Sequence, residues 1–87
     1  MWFIYILECT DGSFYIGSTN NIEQRFKNHI AGKGAKYTKS HKPVRIIYKK
    51  EFLTKSEAFK REWELKKFSR KQKEQLIKLQ SLQPLSS

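Results

Sequence analysis

Residues 2 to 9 are apolar on both alternating faces. Phe3, Tyr5, Leu7 and Cys9 project one way, and Trp2, Ile4 and Ile6 the other. A strand without a polar face is covered on both sides, so this segment is predicted to be central in its sheet. Thr10-Asp11-Gly12 is a turn signal, and residues 13 to 18 return as a second strand. Ile22, Phe26 and Ile30 recur every four residues and predict a helix over roughly 21 to 31, capped by Asn20 or Asn21 and stopped at Gly32. Residues 32 to 42 read as a flexible basic loop. Pro43 opens a third strand, Val44 to Phe52. Thr54-Lys55-Ser56-Glu57 reads as a capping box that starts a helix running to about Phe68. Ser69-Arg70-Lys71-Gln72 caps a last helix, with Leu76, Ile77 and Leu79 as its stripe. The order β-β-α-β-α-α predicts an α+β (α/β) fold, a small three-stranded antiparallel sheet flanked by about three helices. It occupies residues 1–80 as one domain, and 81–87 read as a flexible tail.

The hairpin register decides where two tyrosines point. A two-residue loop at Asp11-Gly12 pairs Tyr5 with Ser18 and Glu8 with Tyr15, and the phenols face opposite sides. A three-residue loop, with Gly12 left-handed, pairs Tyr5 with Gly17 and Leu7 with Tyr15, and both phenols share one face. Side chains alternate with period two, so one residue makes the difference. If the tyrosines act together, the loop or a bulge must supply the odd residue. Aromatic strand residues are more often core than chemistry.

Three polar residues fall where the pattern expects apolar ones. On the first helix, His29 lies about 20° from Ile22 and Arg25 about 60° away on the same side. Both edge the buried stripe, and Arg suits phosphate because its planar fork donates two bonds at once. His29 could move a proton near neutral pH. On the second helix, Glu62 falls at about 40° from Ala58, within an arc that also holds Leu65, Phe59 and Trp63. A carboxylate there needs compensation. Two readings stand: a structural ion pair with Arg25 or Lys66, or a ligand for a hard divalent ion such as Mg²⁺.

Charge adds a partner. The 87 residues carry 18 Lys and Arg against 8 Asp and Glu, a formal net charge of +10. Nucleic acid is the usual polyanion for such a surface. Lys33, Lys36, Lys39 and Lys42 lie every third residue with Tyr37 and His41 interleaved, and Lys66, Lys67, Arg70, Lys71 and Lys73 form a second cluster. Such contacts neutralise phosphates and carry little sequence information. The lone Cys9 excludes an intrachain disulfide and reads as a buried thiol made for a reducing compartment. No apolar run reaches a membrane span of about 18–20 residues. The apolar start has no basic leader, so a cytoplasmic protein is expected, with nucleoid association as a variant.

These motifs together resemble the GIY-YIG endonuclease superfamily, and within it the small stand-alone YhbQ-type proteins. The first element is Phe3-Ile4-Tyr5 and the second Tyr15-Ile16-Gly17. The helix motif is Arg25-Phe26-Lys27-Asn28-His29, and the carboxylate is Glu62. The resemblance covers about residues 1 to 80. Phe3 replaces the glycine that begins the first motif, and no Asn follows Glu62, although some relatives have one. The resemblance implies DNA phosphodiester hydrolysis with one divalent ion, Mg²⁺ or Mn²⁺, held by Glu62. Arg25 would offset charge on the phosphate. Tyr5 or Tyr15, helped by His29, would orient or deprotonate the attacking water, or His29 would be the base with both tyrosines orienting. Gly17 is a structural member of the motif. DNA is the expected substrate, and RNA fits the charge equally well. The chain is expected to be a monomer or weak dimer. The competing reading is a basic DNA- or RNA-binding protein that keeps the fold with little or no catalysis.

Overall fold

The structure is a computed structural model that describes residues 1–81. Chain order is β1 (Trp2–Cys9), β2 (Phe14–Thr19), α1 (Ile22–Ile30), α2 (Lys36–Ser40), β3 (Pro43–Phe52), α3 (Lys55–Lys66) and α4 (Arg70–Ser81). The three strands form one antiparallel sheet in the order β2-β1-β3. As its two-sided apolar pattern predicts, β1 is the centre, with Ile4, Tyr5, Ile6, Leu7 and Cys9 all buried. Of the tail expected over 81–87, Ser81 continues α4 and the rest lies outside the described residues.

The hairpin adopts the three-residue loop. Tyr5 pairs with Gly17 and Leu7 with Tyr15. The Cys9 amide donates to the Ser13 carbonyl at 2.9 Å, and Gly12 takes φ +83°, the left-handed conformation a residue with Cβ adopts only with strain. Tyr5 and Tyr15 therefore share a face. On the opposite face, Ile4, Ile6, Ile16 and Tyr48 pack against Ala58 and Leu65 of α3.

The caps follow the sequence. Asn21 Oδ1 accepts from the Gln24 amide at 3.1 Å, Thr54 Oγ1 from the Glu57 amide at 3.2 Å, and Ser69 Oγ from the Gln72 amide at 3.2 Å. Three expectations change. First, residues 32 to 42 are not simply a flexible loop. They contain the short helix α2, fastened by the buried Thr38. Second, the buried residue of α1 is His29, whereas Ile30 is exposed. Third, the apolar arc of α3 is narrower than its sequence. Ala58 and Leu65 are buried, but Phe59 and Trp63 are exposed and line a surface cleft. Among the described residues, no helix is long and apolar enough to cross a membrane. Cys9 is a buried free thiol whose pKa burial pushes up.

Candidate active site

A cleft of about 430 Å³ opens at the edge strand β2. Tyr5, Tyr15, Gly17, Ser18 and Arg25 line one side, and α3 contributes Phe59, Glu62, Trp63 and Lys66. The alternation of β2 explains how two faces of the sheet meet here. Tyr15 and Gly17 point toward α1, while Ile16 and Ser18 point toward α3. At an edge, side chains of both faces can reach one groove.

Gly17 is required by close approach. A Cβ at this position would lie 2.5 Å from the Tyr5 hydroxyl and 2.7 Å from its ring carbon Cζ. Its absence lets the Tyr5 ring lie flat across β2. The Tyr5 hydroxyl then meets His29 Nε2 at 2.9 Å, and the other ring nitrogen, Nδ1, meets Thr38 Oγ1 at 2.7 Å. The Thr38 hydroxyl donates its only proton to the Ala35 carbonyl at 2.9 Å. It must therefore accept from His29, which places the imidazole proton on Nδ1. Nε2 is left as an acceptor, and Tyr5 donates to it. The buried chain runs Tyr5 O–H to Nε2, Nδ1–H to Thr38 Oγ1, and Thr38 O–H to the Ala35 carbonyl. A Cβ at Gly34 would collide with Nδ1, so this glycine also shapes the chain.

Burial governs the protonation of this chain. Desolvation, reinforced by the charge of Arg25, lowers the His29 pKa to about 4, and the imidazole is neutral at pH 7. Desolvation raises the Tyr5 pKa to about 12, although the Arg25 guanidinium beside it pulls the other way. The Tyr5 phenol in turn holds Arg25 more firmly charged. Tyr15 packs against the His29 ring with centroids 5.1 Å apart and against Tyr37 at 6.0 Å.

Glu62 sits across the cleft with its side chain 20% exposed. Its Oε1 accepts from the Ser18 hydroxyl at 2.6 Å, and its Oε2 pairs with Lys66 Nζ at 2.8 Å. The ion pair foreseen for Glu62 is thus made with Lys66, one helical turn on. A carboxylate already facing an ammonium in a groove is a cation position, and its hard oxygens suit a divalent ion that keeps most of its waters.

The model of the GIY-YIG catalytic domain matches residues 1–75. This chain belongs to the GIY-YIG family. The family is a nuclease superfamily, and its nucleases are generally metal-dependent. Within it, the chain is 52% identical over 75 residues to a UPF0213 protein of Staphylococcus haemolyticus, covering 86% of this chain and 92% of that one. It is 53% identical over 75 residues to a UPF0213 protein of Bacillus licheniformis, covering 86% and 77%. Two solution NMR structures share the fold at 48% identity. A UPF0213 protein from Bacillus halodurans gives a TM-score of 0.59 over 91% of this chain and 85% of that one, and a protein from E. faecalis gives 0.64 over 94% and 88%.

The GIY-YIG residues read from the sequence, Tyr5, Tyr15, Gly17, Arg25 and Glu62, line the one cleft, and His29 lies beneath it against Tyr5. Lys66 is in the cleft itself. Lys67 places its Nζ 3.3 Å from the centroid of the Trp63 ring. Arg70 is committed elsewhere: it donates to the Gly12 carbonyl at 2.8 Å, pairs with Glu74 and lies over Phe14 at 3.6 Å. Lys33, Lys36, Lys39, Lys42 and Lys71 are exposed. Sequence reasoning missed Ser18 and Thr38. Ser18 follows Gly17 directly and could have been placed by the register. Thr38 had no such signal, because its role depends on how α2 folds back onto α1.

Proposed function

We propose that this protein is a metal-dependent endonuclease that hydrolyses DNA phosphodiesters and selects DNA structure more than sequence. The observation that carries this reading is the convergence of Arg25, Glu62 and the Tyr5–His29–Thr38 chain on one cleft. A divalent ion, Mg²⁺ or Mn²⁺, would be held by Glu62 and would supply Lewis acidity toward the scissile phosphate. Lys66 would leave Glu62 for that ion, and its 55% exposed side chain has solvent to move into.

The protein's own residues do the rest. Arg25 is a fixed cation whose fork offsets charge building on the phosphate oxygens. Tyr5 cannot serve as a preformed phenolate: with a pKa of about 12, only about one molecule in 10⁵ is ionised at pH 7. Its hydroxyl can instead pass a proton to His29 Nε2 while its oxygen takes one from the attacking water. No isolated phenolate forms. Phosphate arriving at Arg25 cancels part of the charge that depresses His29, so substrate itself makes Nε2 a better acceptor. Tyr15, packed on the same imidazole, orients the water. Lys33, Lys36, Lys39, Lys42, Lys67 and Lys71 bind the DNA backbone outside the cleft. A buried free Cys9 accords with action in the cytoplasm.

The test compares wild type and Glu62→Ala on branched, flapped and linear DNA, with Mg²⁺ or Mn²⁺ and then with EDTA. Wild type should cut, EDTA should stop it, and Glu62→Ala should bind without cutting. Equal residual cutting by both proteins would mark a contaminant and end the catalytic reading. The Glu62–Lys66 pair is the observation favouring the second reading, a non-cutting DNA- or RNA-binding protein, because it satisfies the carboxylate without any ion.

A further inference from the structure

Trp63 is the residue of the cleft that the chemistry above leaves unused. Phe59, Glu62, Trp63 and Lys66 stand at i, i+3, i+4 and i+7 on α3, so they share one face, and that face is a wall of the cleft. Two of the four are large aromatics left in solvent, Trp63 at 62% and Phe59 at 47% exposed. Phe59 packs edge-on against Trp2 at the margin of the core, with centroids 5.7 Å apart, whereas Trp63 has no aromatic neighbour among the described residues and lies outside the core built on Ala58 and Leu65. Burying an indole is strongly favourable, so an exposed one beside a charged groove is a surface awaiting an occupant.

The surroundings specify the occupant. Lys67 Nζ lies 3.3 Å from the indole centroid, and Lys66 lies in the same groove. Lys67 covers one face of the indole, and the other face, with the Lys66 ammonium in the groove beside it, is complementary to a nucleotide, which offers a π-face and a phosphate together. Glu62 and Trp63 are adjacent on the helix, so a phosphate held near Arg25 and Glu62 places its flanking nucleoside at Trp63. A base inside a continuous duplex has both faces covered by neighbours and cannot stack on a side chain. We propose that Trp63 is a stacking subsite for one unpaired nucleobase flanking the scissile phosphate. The cleft then takes a flap, gap or single-stranded end in preference to intact duplex. The inference rests on the nuclease reading for the word scissile, but the subsite is a matter of binding alone.

Binding is therefore measured in EDTA, by intrinsic fluorescence and by anisotropy of labelled oligonucleotides. The ligands are a short single strand, a flap carrying the same sequence, and a matched duplex, all at one salt concentration. Wild type should show indole quenching by the strand and the flap. Trp63→Ala should weaken both about 5- to 100-fold while changing duplex affinity less than about twofold. Trp63→Phe should restore most of the loss. Removing a single unpaired base from the flap, with its phosphate kept, should weaken wild type but not Trp63→Ala. Thermal melts of each variant confirm that it is folded. Equal loss on all three ligands would overturn the proposal, since it would assign Trp63 to general charge or structure. So would no loss on any, which would leave the indole to a protein partner. Absence of any cutting, with strand-selective quenching retained, would remove the nuclease reading and leave the subsite standing.

Discussion

Thr38→Val removes one hydroxyl from the buried chain beneath the cleft and keeps its volume. Thr38 is 2% exposed and His29 is fully buried, so water cannot replace the lost oxygen. The imidazole Nδ1–H then has no acceptor, while the Ala35 carbonyl keeps the Thr38 and Lys39 amides as donors. An orphaned buried donor costs about 1–3 kcal/mol. For a domain of this size, each kcal/mol moves the melting temperature by roughly 4–8 °C, so a fall of about 4–24 °C is expected. The imidazole can recover by moving its proton to Nε2, where it would donate to Tyr5 and block the relay. Cutting should then fall about 10²-fold, the lower range for loss of general acid–base assistance. Differential scanning calorimetry reads the first effect, and ¹⁵N chemical shifts of the imidazole read the tautomer directly. Thr38→Ser keeps the hydroxyl and should behave within a few-fold of wild type. A wild-type imidazole protonated on Nε2 would refute the donor order, and a Thr38→Val protein with unchanged melting would refute the chain itself.

Other perturbations address the remaining parts. The His29 pKa is about 4 in the fold against an ordinary 6.5, so the unfolded chain binds the extra proton between those values. Stability should be complete above pH 6.5, fall as pH drops toward 4 and level below it, by at most about 3 kcal/mol. Urea titrations should show this slope in wild type and lose it in a folded His29→Gln; an equal slope in both would assign it to other groups. Gly17→Ala puts a Cβ 2.5 Å from the Tyr5 hydroxyl, so it should displace the phenol from His29 and cost about 1–3 kcal/mol. A variant with wild-type stability and cutting would show that the close approach is unimportant. Replacing Lys33, Lys36, Lys39 and Lys42 by Ala should flatten the dependence of DNA affinity on salt, and an unchanged slope would remove that segment from the interface.

What was legible in the sequence is what local pattern determines. The two-sided apolar run of β1 and the Thr54 and Ser69 caps follow from period and cap chemistry, whereas the sequence left two hairpin registers open and the fold takes the odd-length loop with a left-handed Gly12. Glu62 stood out because a carboxylate in an apolar arc is costly. Helical angle alone could not say where that arc ends. Phe59 and Trp63 are exposed on the wall of the cleft, and a wheel carries no information about where the sheet beneath a helix stops. The same limit reversed His29 and Ile30. Both sit on the stripe side of α1, but the imidazole is buried because Tyr5 and Thr38 meet its two nitrogens. Such pairing is long-range and unwritten in the local pattern.

The placement of the cleft at an edge strand is what lets so small a sheet hold separated polar groups. On a central strand, groups on opposite faces would be divided by the sheet. On β2, the face that carries Tyr15 and Gly17 supports the desolvated Tyr5–His29 pair, and the face that carries Ser18 receives Glu62. The chain beneath Gly17 is dry, which keeps His29 neutral and Tyr5 protonated, while Glu62 remains in a wet groove beside a cation. Arg25 couples them. It lies in the cleft where a phosphate would bind, and its charge is one cause of the low His29 pKa. On the nuclease reading proposed above, a phosphate neutralising Arg25 would remove the smaller of the two causes that depress His29, while desolvation would persist. On that reading, proton acceptance by His29 would be eased by substrate in place, with no mobile domain required.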